Sequence, residues 1–574
     1  MAEKQGATNG PRPDGDKLAY GKAEGGNPPP TGLSFWLLII AVFSVMFLVS
    51  LDKMIISTAI PQITDEFHSN KDIGWYGTAY LLTNCSYQLV FGKLYTFLPV
   101  KPTFLATLLL FEIGSAICGA APNSVAFILG RVIAGFGAGG VLPGVIVILV
   151  YAVPLQSRAK YFGFFGAIFG LASVLGPTVG GAFTTHVTWR WCFYINLPIG
   201  GVVMLLVQFL LHAPEQPGTI KSFKEQLKQS NALGFICLVP GVVSLCLALQ
   251  YGGTTYAWNN WRIILLFVIS LLLLIGFVVV QFLLPEQAIL PPRVLVQRSI
   301  LAGFWTSICI GAHQTIFLYY MPLWFQAIKD KSAIQSGVDL LPMVLVTAGI
   351  SILNGQLISF CGYYTPSLIF GACLTAVGAG LLTMLGVHSP NGMWIGFLIV
   401  YGLGQGFTSQ APNMAAQTVL PKKDISIGSS LMFFGQTLFG AIFVSVGQNV
   451  LDNQLAKRMA DIPGASEALK NSTGATNVLD LIDSQYLGRA LEGYNDALRA
   501  VFQVGLCIAC LAVPGALAME WRTVKKKFPP KDGSSAEKAK GQGNMPAEGK
   551  GEEKPAEKSH KAEEAPVNAA AEQK

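Results

Sequence analysis

The chain has 574 residues, of which 52% are hydrophobic and only 12% charged, against roughly a quarter charged in ordinary soluble domains. That balance excludes a soluble globular protein and fits a polytopic membrane protein. The net charge of +7 gives no sign of nucleic-acid binding, because Lys and Arg fall mostly in short connections between apolar runs.

In chain order, residues 1–33 are an expected disordered cytoplasmic tail, polar and rich in Gly and Pro, without the form of a cleavable signal peptide. Apolar runs of about 20 residues each then centre near Val45, Tyr87, Phe111, Gly139, Ala172, Met204, Val242, Leu273, Gly311, Ala348, Val377, Leu403, Leu438 and Cys510. They predict fourteen membrane helices in an all-α protein with both tails on one side. Seventeen Lys and Arg near the spans lie on the tail side against nine on the other, which places both termini in the cytoplasm. The expected organisation is a six-helix half over 34–212, a linker with two extra helices over 213–299, a second six-helix half over 300–522, and a disordered tail over 523–574. The second half carries the only long outer loop, 451–497, where the sequon at Asn471 is an expected glycosylation site. The other sequon, at Asn84, sits inside a span and is expected to be inert.

Gly92-Lys93-Leu94-Tyr95-Thr96-Phe97-Leu98, after the second span, is echoed by Gly355-Gln356-Leu357-Ile358-Ser359-Phe360-Cys361 after the tenth. Each closes the second helix of a six-helix set, as a parallel repeat would place it. The ten cysteines lie mostly inside apolar runs without paired spacing, and even Cys507-Ile508-Ala509-Cys510 reads as small packing residues within a span.

The stretch from Leu129 to Gly200 is the most particular. It contains Gly130-Arg131-Val132-Ile133-Ala134-Gly135-Phe136-Gly137-Ala138-Gly139-Gly140, then Gly170-Leu171-Ala172-Ser173-Val174-Leu175-Gly176-Pro177-Thr178-Val179-Gly180-Gly181, then Trp189-Arg190-Trp191-Cys192-Phe193-Tyr194-Ile195-Asn196-Leu197-Pro198-Ile199-Gly200. Small residues at helical spacing let helices approach closely in a bilayer, and a proline among them bends the helix. The glycines at 135, 137, 139 and 140 are not a phosphate loop, since no strand precedes them and no Lys-Ser or Lys-Thr follows.

The arginine-glycine piece resembles the fourth-helix motif of the major facilitator superfamily, and Gly176-Pro177-x-x-Gly180-Gly181 is similar to the fifth-helix motif that marks its exporters. The Trp189 to Gly200 piece resembles the fourteen-helix drug/proton antiporter branch, especially fungal efflux pumps that accompany secondary-metabolite pathways. The resemblance covers roughly Ser34 to Arg522. It implies a major facilitator fold with two extra central helices and a multi-pass protein of the plasma membrane, or of a vacuolar or vesicular one. It also implies proton-coupled efflux of a hydrophobic or amphipathic small molecule, such as a toxin, secondary metabolite or drug. The expected working unit is a monomer in the lipid bilayer that handles small-molecule substrate and protons, with no enzymatic activity, cofactor, metal or nucleic acid. The competing readings are import of an iron chelate or nutrient, and a membrane sensor, which would need a folded signalling domain on a tail.

Ionisable groups inside a bilayer are costly and default to functional candidates. Here they are Asp52, Glu112, Arg131 and His313. At about 1.5 Å per residue, Asp52 and Arg131 lie at a similar depth and can meet. Leu51-Asp52-Lys53-Met54-Ile55-Ile56-Ser57-Thr58-Ala59-Ile60-Pro61-Gln62-Ile63 resembles the first-helix motif of the same branch, which supports Asp52 as a proton carrier that releases its proton when Arg131 is near. A permanent structural ion pair aided by Lys53 is the plainer alternative. Glu112 is a second proton candidate. Gly170, Gly176, Pro177, Gly180 and Gly181 are the candidate hinge. Gln88, His313, Gln314, Tyr319, Tyr320, Gln410 and Asn413 are candidate cavity residues, polar handles on apolar walls, with interhelical hydrogen bonding as the alternative for each. One departure is expected to matter: the loop after Gly92 has only Lys93 and Lys101 as basic residues and no acid, so the inner gate is expected to close by packing instead of by a charge latch.

Overall fold

The computed structural model describes residues 32–69, 72–212, 231–253, 255–463, 482 and 485–525. Asn471, the loop lysines Lys221, Lys224 and Lys228, and nearly all of both expected tails lie outside the described residues. A bilayer core offers no water to unpaired backbone groups, so the apolar runs satisfy themselves as helices. The long helices are α1 (Leu33–Phe67), α2 (Ile73–Leu94), α3 (Val100–Ala120), α4 (Ser124–Ala152), α5 (Leu155–His186), α6 (Asn196–Leu210) and α7 (Ala232–Tyr251). They continue as α8 (Trp261–Leu283), α9 (Arg298–Lys329), α10 (Leu341–Cys361), α11 (Thr365–Leu382), α12 (Asn391–Thr408), α13 (Ile425–Arg458) and α14 (Leu487–Ala518). Among the described residues there is no strand, only two isolated bridges.

Every expected apolar centre falls inside one of these helices. Twelve candidate spans among the described residues are long and apolar enough to cross a membrane. The expectation of fourteen is not reached on that measure: α2 and α12 fall short, their apolar character diluted by Gly, Tyr, Thr and amide side chains. Local signals set the helix starts. The side chains of Asn123, Asn231 and Asn260 cap α4, α7 and α8 by accepting from Ala126, Gly234 and Arg262 N–H groups, and α10 stops on Gly362 at φ 90°.

The first half packs α4 against α2 and α3, and α1 against α5 and α6. The second packs α9 against α13 and α14, and α11 against α12. The halves meet along two seams, α5 with α10 and α2 with α13. Glycine makes both seams possible. A Cβ on Gly163 would press on the Ser351 and Ile352 backbone, one on Gly355 on Ala159, and one on Gly92 on Ser430. The two glycines of the sequence echo, Gly92 and Gly355, therefore sit at equivalent places in the two seams.

The α5 seam runs from the end of the bundle that carries Gly32 and Lys525, where the Gln156 amide donates to Ser359 O at 3.5 Å, outward to Val174, which packs against the second-half core. Beyond it Thr178 is exposed and Gly181 has open space beside it. The halves are thus closed toward the tail end and part beyond Val174. The loop after Gly92 contributes buried Tyr95 and Phe97 to this closed end, while an Arg293–Asp424 ion pair at 3.1 Å stands nearby.

Helices α7 and α8 form a pair set beside the two halves. α7 touches both α2 and α13. The Thr78 hydroxyl donates to Gln250 at 3.1 Å, and the Trp258 indole N–H donates to Asn449 at 2.6 Å. α8 exposes Leu271, Leu272, Ile275 and Phe282, a face suited to lipid.

Replacing Gly163 with Leu is expected to wedge the α5–α10 seam open. With the native exposed cysteines replaced by Ser, a short bis-maleimide crosslink between Gln156→Cys and Ser359→Cys is expected to form, and in the Gly163→Leu background its yield falls by more than about half, as scored by gel mobility.

Candidate functional site

The site is built on α4, whose glycines let it lie directly on its neighbours. A Cβ on Gly137 would strike the Phe111 and Thr107 backbone of α3, and one on Gly135 the Tyr80 backbone of α2. Arg131 is held in this close-packed core, 1% exposed, and so is Asp52 of α1, also 1%. The Arg131 guanidinium donates to the Asp52 carboxylate at 2.7 Å and to Tyr76 O at 3.1 Å. It also lies over the rings of Tyr80, at 4.4 Å, and Phe193, at 5.7 Å. The second carboxylate oxygen accepts from the Asn196 amide at 3.3 Å, and that amide also donates to the Ser115 hydroxyl at 3.1 Å.

Magnitudes explain why so many groups converge. Two unit charges 4 Å apart attract by about 4 kcal/mol at an effective dielectric of about 20, whereas removing each ion from water costs several kcal/mol. The pair alone does not offset its desolvation. The additional hydrogen bonds, and cation–π contacts worth about 2 kcal/mol when desolvated, make up the difference.

Glu112 lies on α3 one turn from Ser115, 6% exposed, and neither of its carboxylate oxygens has a hydrogen-bond partner. It sits against Gly200 of α6, where a Cβ would overlap its carboxylate. Because Asn196 and Gly200 are also one turn apart, a polar seam runs from Glu112 through Ser115 and Asn196 to Asp52. A lid covers the far end of this seam. Trp189 donates to Glu66 at 2.6 Å, and Arg190 donates to Glu66 at 2.9 Å and to Ala121 O at 3.0 Å. Phe67, Phe127, Trp189 and Phe193 pack edge to face beneath it.

The hinge candidates divide by face. Gly170 faces Val344 and Ala348 of α10, in the other half, whereas Gly176 and Gly180 face Met54, Ile55 and Thr58 of α1. Pro177 lies between Gly176 and Gly180, on the stretch that meets α1, inside an unbroken helix, and Gly181 adjoins open space. The cavity candidates are scattered. Gln88 and Asn413 are fully buried with no hydrogen-bond partner on either side-chain polar atom, and Gln410 has an unpartnered oxygen. His313 is bonded to the Tyr401 hydroxyl at 2.8 Å, and the Tyr320 hydroxyl donates to Val444 O at 2.8 Å. Gln314 is partly buried. Tyr319 is 55% exposed. Lys53, expected to aid the Asp52–Arg131 pair, makes no ion pair among the described residues and is exposed.

Asn196, Tyr80, Phe193 and Ser115 complete the charge site and were not picked out by sequence reasoning. Asn196 had a usable signal, as an amide at the head of an apolar helix within the Trp189 to Gly200 motif.

Arg131→Ala leaves the Asp52 carboxylate buried and unpaired and is expected to cost about 3–5 kcal/mol. Asn196→Ala removes one hydrogen bond to a charge and costs about 1.5–3 kcal/mol. Thermal unfolding in detergent should rank the melting temperatures native, Asn196→Ala, Arg131→Ala from high to low, and the double variant Asp52→Ala/Arg131→Ala should melt above Arg131→Ala alone.

A family model described as Major Facilitator Superfamily matches residues 42–444. The chain is 47% identical over 523 residues to the MFS-type transporter VdtG of Byssochlamys spectabilis, covering 91% of this chain and 94% of that protein. It is 46% identical over 499 residues to the MFS-type efflux pump MFS1 of Trichophyton rubrum, covering 87% and 93%. Among solved structures it is similar in fold to the proton:xylose symporter XylE, with a TM-score of 0.51 at 15% identity, covering 84% of this chain and 94% of that one.

Proposed function

The chain belongs to the major facilitator superfamily, a multi-pass membrane transporter and not an enzyme, and from that premise we propose that it exports hydrophobic or amphipathic small molecules in exchange for protons by alternating access. Efflux agrees with the efflux-pump names carried by relatives such as MFS1, and the substrate class proposed is a toxin, secondary metabolite or drug. The observation that carries the reading is the Asp52–Arg131 pair, shut from water in a bundle whose halves close at one end and part at the other. In this state the Asp52 side chain is shared between Arg131 and Asn196. Rearrangement of α1 against α4 would withdraw Arg131, and a carboxylate left in a dry site takes up a proton. Glu112, without a hydrogen-bond partner and one turn from Ser115, is proposed as a second proton acceptor. Gly170, Gly176, Pro177, Gly180 and Gly181 are proposed as the hinge that lets α5 move against α10 and α1 separately. The substrate path is proposed to take polar contacts from Gln88, Gln314, Gln410 and Asn413. His313, Tyr319 and Tyr320 have a lesser part there, two being hydrogen-bonded within the second half and the other exposed.

The proposed topology has fourteen spans, because α2 and α12, at 22 and 18 residues, reach about 33 and 27 Å, close to the thickness of a hydrocarbon core. The proposed units are a six-helix half at 34–212, two extra helices within 213–299, and a six-helix half at 300–522. Both tails lie in the cytoplasm and the outer loop 451–497 lies outside the cell, with Asn471 glycosylated and the plasma membrane as residence.

Inside-out membrane vesicles with an acidic lumen are expected to accumulate fluorescent amphipathic dyes, and an uncoupler should abolish the accumulation. Asp52→Glu retains at least about a third of that uptake, whereas Asp52→Asn reduces it more than about tenfold; undiminished gradient-driven uptake by Asp52→Asn would sink the proton role. For topology, an epitope placed within residues 464–481 should bind antibody on intact cells, and a tag after Lys574 should bind only after permeabilisation. Staining of both tags without permeabilisation would contradict the cytoplasmic C-terminus.

A further inference from the structure

Lys53 is the charged group at membrane depth that the proton machinery leaves unused. Its position on α1 can be read from its neighbours. Asp52 turns toward α4 and α6, where it meets Arg131 and Asn196. Val49 O accepts from Tyr80 of α2 at 3.3 Å, and Met54 and Thr58 lie against Gly176 and Gly180 of α5. At 100° per residue, Lys53 and Ser57 therefore occupy the face between α2 and α5. Those two helices carry the seams to the second half, so the face between them looks across at that half and away from lipid. Both Lys53 and Ser57 are exposed. The level agrees as well. Met54 is opposite Gly176, just past Val174, where the α5 seam ends and the halves part. Lys53 thus stands at the floor of the opening, with Cys85 of α2 within electrostatic reach.

No acid answers it. Lys53 makes no ion pair and no hydrogen bond among the described residues, the Asp52 carboxylate is occupied by Arg131 and Asn196, and Glu112 lies on the far side of α1 against α6. An ammonium kept in a water-accessible, apolar-walled opening without a counter-ion is a recognition group for an anion.

We propose that Lys53 is a substrate-binding residue that selects amphipathic organic anions, pairing with a carboxylate or ionised phenol while the apolar body of the molecule rests on the cavity walls. This rests on the export reading and narrows its substrate class. Ser57, one turn along the same face, would turn its hydroxyl from Met54 O, to which it donates at 2.9 Å, and donate a second hydrogen bond to the same group.

The test uses the full-length protein in lipid nanodiscs and two xanthene dyes of similar shape and opposite charge, fluorescein and tetramethylrhodamine methyl ester, with binding followed by fluorescence anisotropy. The native protein is expected to prefer fluorescein. Lys53→Gln should weaken fluorescein about tenfold, the loss of about one charge-assisted contact, and leave the cationic dye unchanged. Lys53→Arg should restore fluorescein, and Lys53→Glu should reverse the preference. Equal weakening of both dyes by Lys53→Gln, in protein that still elutes as a single species, would show a packing role and overturn the proposal, as would a native protein indifferent to dye charge. The vesicle assay separates this from the parent reading: gradient-driven uptake without charge preference removes the role of Lys53 alone, whereas charge-selective binding without gradient-driven uptake removes proton-coupled export and leaves the anion site standing.

Discussion

A guanidinium and a carboxylate 2.7 Å apart and shut from water set the terms for everything around them. Neither charge is tolerable there alone, so α1 and α4 must stay in register at that level, and α6 must bring Asn196 to the remaining carboxylate oxygen. The glycines of α4 follow from the same demand. Only a helix stripped of side chains on two faces can come close enough to α2 and α3 to place Arg131 over Tyr80 and beneath Tyr76 O. The aromatic lid of Phe127, Trp189 and Phe193, pinned by the Glu66–Arg190 pair, keeps water from entering along the far end.

A buried pair held this way is poised. Its attraction and its desolvation nearly cancel, so a small change in geometry or hydration tips the balance by an amount comparable to the whole net stability of the contact. In the proton exchange proposed above, the same residues would favour one protonation state in one conformation and another in the next. Glu112 stands close to this pair without joining it: its two oxygens have no hydrogen-bond partner, and it lies one turn from Ser115, which accepts from Asn196.

Much of this was legible in the residues. The bilayer forces every apolar run into a helix, so each expected centre landed in one, and the rarity of charge inside those runs singled out Asp52 and Arg131 at matching depth. The repeat around Gly92 and Gly355 was visible as an echo, but its meaning, two equivalent crossings between halves, needed the partner helices Ser430 and Ala159 belong to. Neutral groups were harder. Asn196 carries no charge to mark it, and His313 is bonded to Tyr401 within its own half. The direction of a side chain is the least legible feature, because one residue turns it by 100°: Tyr320 is buried where Tyr319 is exposed, and Lys53 turns away from the pair that Asp52 enters. The membrane count suffered from a related effect. α2 and α12 bury polar side chains such as Gln88 and Gln405 against other helices, and that polar content lowers the hydropathy that marks a span.

The paired helices α7 and α8 are tied down on both sides of the molecule's divide, to α2 through Gln250 and Thr78 and to α13 through Trp258 and Asn449. The two anchors are only a short peptide apart. Held to both halves, the pair would act as a strap on the rocking proposed above, resisting travel that pulls the Thr78–Gln250 and Trp258–Asn449 contacts apart. An added helix pair of this kind would bound the stroke of the proposed alternating access, and the length of the connection between its two helices would help to tune it.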